Sequence, residues 1–462
     1  MADARQKIET TLPRKTGMPM KKSAPRGRLV RIVGPMIPVA LALGTAAISR
    51  SHNPPKPLPF AAIQINGDDT LAAAVANGAP VPLLAKGHPV DWWFVFKMNA
   101  AVFPACGGAV GSCPFGGTVQ PYKTFGQQYV YASSESQFLQ DRVKDCVGTT
   151  DSDPVGASFN EVYNGNYHYV LWNDQFYDDP LPIRGAPWGH SKGMLAWDDA
   201  GQGFVMQVST PSWPGAGNVK SPRLTDGNTL GCIKDNDVKV SQHFLALRLT
   251  KDDLILVLQG MKNSSVVTNP TSSQLVSNGG PSDVQALVNG LGKLSDSEAL
   301  VQGTLSSGFR FISKPSSMNV PPWQMVSATL GGIGLRAATW WANPEIPSTT
   351  TDSTITCWDE SLGTPGPVEI ATAGTWEGRV FSLAGGLGAN FNHAKIGVST
   401  TRTQPYVIFG DENQQGTLVK SAAGKCDSSQ NGRGGMFYAI SSPQLNGSIG
   451  NLIAGDTASS GN

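Results

Sequence analysis

The chain has 462 residues, 40% hydrophobic and only 15% charged, which excludes a disordered chain and supplies material for two or three ordinary domains or one large two-lobed one. The net charge of +1 hides an asymmetry: the first 49 residues hold nine Lys/Arg and two Asp/Glu, and the remainder carries 26 basic against 32 acidic residues, a net of −6. A body of that charge is no general basic glue for nucleic acid, so any such contact needs a local basic groove or a pH at which carboxylates and histidines are protonated.

Residues 1–49 read as an export signal with a long basic leader. Arg26, Arg28 and Arg31 precede the apolar run 32–48, which Pro35, Pro38 and Gly44 interrupt, and Ala47-Ile48-Ser49 offers a small-x-small cleavage site. A run of about 17 residues is at the short limit for a membrane span. The mature chain is therefore expected to be secreted or periplasmic, without stable membrane association. Residues 50–60 form a proline-rich linker. A first lobe over 61–260 follows, with buried strands at 92–98, 128–132, 167–172 and 203–208, each rich in aromatic and β-branched residues. Residues 134–147 and 241–249 are expected as helices. The polar stretch 261–283 reads as a linker. A second lobe over 284–446 holds a helix at 282–294, a strand at 308–313, a proline-initiated helix within 320–338, a low-complexity loop at 348–354, and strands at 379–383, 394–399 and 406–409. The Gly/Ser/Asn-rich tail, 447–462, is expected to fray. Six cysteines (Cys106, Cys113, Cys146, Cys232, Cys357 and Cys426) suggest disulfides in an exported chain, and no C-x-x-C is present to hold a zinc knuckle.

Two His-x-Lys motifs carry the candidate chemistry, Gly189-His190-Ser191-Lys192-Gly193 and Asn392-His393-Ala394-Lys395-Ile396. Six His and 20 Lys in 462 residues would give roughly a quarter of one such match by chance, yet one stands in each half. In a strand, residues i and i+2 share a face, so each motif presents an imidazole beside an ammonium. That pairing suits phosphodiester chemistry. One neutral histidine attacks phosphorus to form a phosphohistidine, and the other, protonated, supplies the leaving oxygen with a proton and then activates water. The lysines stabilise charge on the non-bridging oxygens. Nothing in this scheme requires a metal or a cofactor. The first motif also satisfies G-x-S-x-G, but neither a buried strand leading in nor a helix leading out is expected there, so a serine hydrolase is disfavoured. Asp178/Asp179 and Asp198/Asp199 read as solvated turns. Trp92/Trp93 and Trp340/Trp341 could stack on bases, or serve as core.

Ordered segments around these motifs resemble the deoxyribonuclease II family. They are PVDWWFVFK at 89–97, YVLWNDQ at 169–175, HSKG at 190–193 followed by VSTPSWP at 208–214, Cys232, FISK at 311–314 with Pro322-Trp323, His393-Ala394-Lys395, GDEN at 410–413 and QNGRGG at 430–435. The resemblance implies a phospholipase D-like pseudo-dimer of two α/β lobes with mixed sheets and one His-x-Lys per lobe. It implies a DNA substrate, no metal, an acidic optimum and 3′-phosphate ends. It carries over His190, Lys192, His393 and Lys395 as catalytic, and Asn413, Ser209, Trp213 and Arg433 as substrate-binding. The Asp that follows His-x-Lys in phospholipases D is absent from both motifs, which favours a nuclease over a lipid-headgroup phosphodiesterase. An inactive secreted DNA-binding protein is the remaining alternative, although both motif histidines are kept.

Overall fold

The computed structural model describes residues 69–461 apart from 104–114, 116–127, 143–146, 149, 178–179, 225–227, 229 and 231–238. The expected export signal, the 50–60 linker, Asp178/Asp179 and four of the cysteines lie outside the described residues. Cys357 and Cys426 form a disulfide.

Two large sheets organise the chain. The first contains β1 (Trp92–Lys97), β2 (Tyr129–Ser133), β3 (Gln140–Arg142), β4 (His168–Asn173), β5 (Lys192–Trp197), β6 (Gly203–Val208), β7 (Gln242–Leu249) and β8 (Val276–Ser277), in the order β8-β4-β5-β6-β7-β1-β2-β3. Every pairing in it is antiparallel. The second contains β9 (Val301–Thr304), β10 (Arg310–Lys314), β11 (Leu335–Ala338), β12 (Val368–Ile370), β13 (Ile396–Ser399), β14 (Tyr406–Gly410) and β15 (Gly435–Ser441), in the order β9-β10-β15-β14-β13-β11-β12. Only β11 and β12 run parallel, so the mixed character expected of both sheets belongs to the second.

The helices are a short turn at Leu71–Ala76, then α1 (Pro154–Tyr163), α2 (Lys251–Asn263), α3 (Ser282–Asn289), α4 (Pro322–Thr329) and α5 (Pro443–Leu452). The sequence β1-α1-β4-β5-β6-β7-α2 recurs as β10-α4-β11-β13-β14-β15-α5, and the five strands of each set hold the same spatial order, β4-β5-β6-β7-β1 and β11-β13-β14-β15-β10. The fold is therefore mixed α/β with an internal repeat. The sheets share one core in which the rings of Phe94 and Phe409 lie 4.8 Å apart, while Ile312, Trp323, Leu335 and Phe437 build a second core on the second sheet.

Several expected elements are corrected. The expected helix at 241–249 is strand β7 from Gln242 on: all eight residues of QHFLALRL are buried, because β7 is central and covered on both faces, and that removes the alternation by which a strand is recognised. The helix begins only at Lys251, where Thr250 and Asp253 form a capping box with hydrogen bonds of 3.3 and 3.0 Å. Residues 134–142 are a bend followed by the short strand β3 against β2; SSESQFLQ offers no apolar stripe for a helix to bury. The stretch 261–283 is no free tether, since Val266, Leu275 and Val276 are buried and β8 pairs with β4. The tail is ordered too. Ser442 caps α5, and Leu445, Ile449, Leu452 and Ile453 follow helical spacing into the core.

Helix α2 packs against both sheets. Its Gly260 lies so close to the second sheet that a Cβ there would stand 2.3 Å from the Phe311 ring.

Candidate active site

Both His-x-Lys motifs sit at the entry to equivalent strands, β5 and β13, and the chain fixes them by a reciprocal exchange of hydrogen bonds. The backbone N–H of His190 donates to the carbonyl of Gly434, just before β15 (2.8 Å), and that of His393 donates to the carbonyl of Ser241, just before β7 (2.8 Å). The Nδ1 of His190 bonds the carbonyl of Asp411, just after β14 (2.8 Å), and the Nδ1 of His393 bonds the carbonyl of Ser209, just after β6 (2.7 Å). Each half thus holds the other half's histidine at two equivalent points. A carbonyl oxygen only accepts, so both Nδ1 atoms carry the proton, and both neutral rings keep their lone pair on Nε2.

Each histidine is 5% exposed. Burial, then the charges of Lys192, Arg433, Lys395 and His393, hold the pKa of His190 well below its ordinary 6.5. Burial, Lys395 and Lys192 do the same for His393, against the opposing hydrogen bond to Ser209. Each imidazole feels the lysine of the other motif, and the exchanged hydrogen bonds bring the two motifs near one another.

Lys192 Nζ donates to Asp174 Oδ1 at 2.5 Å, and Asp174 Oδ2 accepts from Arg433 at 2.8 Å, with the carboxylate fully buried. Arg433 also donates to the carbonyls of Arg184, Trp188 and Gly189, which clamps the loop leading into His190. Lys395 Nζ donates to the carbonyl of its own His393 at 2.7 Å, and its backbone N–H donates to His243 Nδ1 at 3.1 Å. The carboxyl of Asp411, whose carbonyl holds His190, is pushed up to about 7 by burial despite hydrogen bonds from Ser191, Met436 and Gln207. The neighbouring Glu412 is likewise raised to about 7 by burial, against the pull of Lys314.

The four residues expected to be catalytic are thus brought together. The four expected to bind substrate are not equivalent. Trp213 is wholly buried among Phe159 and Phe244, with its indole N–H on the Asn228 carbonyl, so it has no surface to offer a substrate. Ser209 directs its hydroxyl to Gln242 (2.5 Å) and holds His393 through its carbonyl. Arg433 is committed to Asp174 and the 184–189 loop. Asn413 bonds Gln415 within its own loop (2.7 Å). The serine of the G-x-S-x-G coincidence is 1% exposed and accepts from the Trp172 indole, which fits packing rather than attack. Glycines of two motifs also serve packing: a Cβ on Gly189 or Gly434 would lie 2.5 or 2.3 Å from the Ser264 carbonyl at the end of α2. Asp198 accepts from the backbone of Ala200 and Gln202, and Asp199 pairs with His168.

Sequence reasoning missed Asp174, Gln242, His243 and Asp411 as site residues. Asp174 and Asp411 stand in motifs already noted, each directly after a buried strand, which is where a carboxylate needs a partner.

Fold and site together define a mixed α/β protein with an internal repeat and one shared pair of histidines and lysines. More specifically, the chain belongs to the deoxyribonuclease II family, whose family model, described as Deoxyribonuclease II, matches residues 83–455. Cell-death-related nuclease 7 of Caenorhabditis elegans is 22% identical over 347 residues, spanning 73% of this chain and 80% of that protein. Deoxyribonuclease-2-alpha of Rattus norvegicus is 31% identical over 158 residues, 32% of this chain and 39% of the relative. Among solved structures, a mutant of yeast tyrosyl-DNA phosphodiesterase 1 aligns with 62% of this chain and 86% of its own at 9% identity and a TM-score of 0.29.

Proposed function

We propose that this chain is an endonuclease that hydrolyses phosphodiester bonds of double-stranded DNA at acidic pH without a metal. The observation that carries the reading is the reciprocal Nδ1 bonding of His190 and His393, which leaves the lone pair of each ring on Nε2 and supports their joint use on one phosphate. One Nε2 attacks phosphorus, and the P–O5′ bond breaks as the other imidazolium gives its proton to O5′. The phosphoryl group, still on O3′, is then held on histidine. Water, deprotonated by the second imidazole, breaks the P–N bond and leaves a 3′-phosphate. Lys192 and Lys395 stabilise the equatorial oxygens.

The electrostatics support the acidic optimum. Both histidines are depressed by burial and by cations, so near neutrality both are neutral and the general acid is missing. Lowering the pH protonates one of them; lowering it further removes the nucleophile. A bell-shaped profile on the acid side follows. Export through the N-terminal segment fits the Cys357–Cys426 disulfide. Among the described residues no helix is long and apolar enough to cross a membrane.

End-group analysis tests the chemistry. Digested duplex DNA should resist polymerase extension until a 3′-phosphatase has acted. Ends extended directly would rule out the proposed bond cleavage.

A further inference from the structure

The halves repeat closely enough that the point where they diverge is informative. Asn173 lies opposite Lys192 in the β4–β5 pair, and Ala338 lies opposite Ile396 in the β11–β13 pair, so Thr339 reaches the level of Lys395. One residue further on, the equivalent positions hold Asp174 and Trp340. Asp174 binds Lys192 and Arg433. Trp340 instead sets its indole against His393, with ring centroids 4.8 Å apart and planes at 87°.

Trp340 is not core. Its neighbour Trp341 packs against the second core and donates its indole N–H to the Ile346 carbonyl at 2.8 Å. Trp340 belongs to neither core, stays half-buried, and is seated close to Gly385, where a Cβ would come within 3.0 Å of the ring. A large aromatic surface is thus held beside a reacting imidazole, where the other half places charge. An indole face accepts any nucleobase by stacking, whatever the sequence.

We infer that Trp340 is a nucleobase platform, gripping the base next to the phosphate that His190 and His393 attack. This rests on the reading of the site as a DNA phosphodiesterase.

The test compares the full chain with Trp340→Ala and Trp340→Phe on three substrates in EDTA at acidic pH: plasmid, an oligothymidylate, and an abasic deoxyribose-phosphate oligomer of equal length. The expected result is that the wild type favours oligothymidylate over the abasic oligomer in kcat/KM, and that Trp340→Ala lowers this preference on the order of 10-fold or more, mainly through KM. Trp340→Phe keeps most of the preference. If Trp340→Ala lowers cleavage of both oligomers equally, or only moves the pH profile, Trp340 acts through His393 and the platform is overturned. A wild type with no preference overturns it as well. Failure of the wild type to cut plasmid at all would instead overturn the nuclease reading.

Discussion

Asp174 is the residue whose replacement tests the built site most severely. Its carboxylate is fully buried and holds two cations, Lys192 at 2.5 Å and Arg433 at 2.8 Å. Asp174→Asn keeps the shape but leaves both buried cations without their counter-charge. Breaking a buried ion pair by removing one partner costs about 3–5 kcal/mol. The amide oxygen still accepts one hydrogen bond, so the lower end, about 3 kcal/mol, is expected. Asp151→Asn is the control. Its ion pair with Lys86 spans 3.2 Å between side chains 40% and 77% exposed, and such pairs contribute under about 1 kcal/mol. Denaturant unfolding of both variants measures the difference, and plasmid nicking on the same preparations measures kcat. Because Lys192 loses its fixed orientation and Arg433 its hold on the 184–189 loop, kcat should fall on the order of 100-fold. If Asp174→Asn matches Asp151→Asn in stability and the wild type in kcat, the Asp174–Lys192–Arg433 network is not what positions the site.

Other expectations follow from the same geometry. His190→Ala and His393→Ala should each lower plasmid cleavage on the order of 1,000-fold or more, and a variant keeping most of its rate would remove that histidine from the mechanism. Asp411 is held up to about 7 against 3.8 in the unfolded chain, so its contribution to stability is fully present below about pH 4 and is lost as pH rises through 7. Between pH 4 and pH 8, Asp411→Asn should therefore lose less stability than the wild type, by about 4 kcal/mol; parallel unfolding curves across pH would contradict this. The depressed histidines act in the opposite sense, losing stability as pH falls below 6.5, but they are common to both proteins and cancel in the comparison. Trp213→Leu should destabilise the fold by about 2–4 kcal/mol and leave the KM for DNA unchanged. A large rise in KM with normal stability would return Trp213 to the substrate.

What the sequence revealed and concealed follows from the range of the interactions. Strands β1 and β6 were legible because WWFVFK and GFVMQV are short, apolar and bounded by turn residues. Strand β7 was misread because its Leu and Ala favour a helix locally, and only its place at the sheet's centre decides otherwise. Helix α5 was hidden by a Gly/Ser/Asn-rich composition, although Pro443 after a Ser442 cap and the spacing of Leu445, Ile449 and Leu452 were signals in plain view. The paired His-x-Lys residues were legible as a repeat. Their anchors were not: the carbonyls of Ser209 and Asp411 carry no side-chain signature, and each acts across about 200 residues of chain, at separations of 184 and 221. Trp213 misled because it lies in a motif adjoining the site while its own ring turns into the core.

The proposed hydrolysis is carried by two histidines and two lysines without a metal. Plasmid nicking by the full chain in excess EDTA, followed from pH 4 to pH 8, is the decisive measurement. Sustained nicking with a maximum on the acid side of neutrality is the expected result. Activity abolished by EDTA and restored by a divalent ion would contradict it.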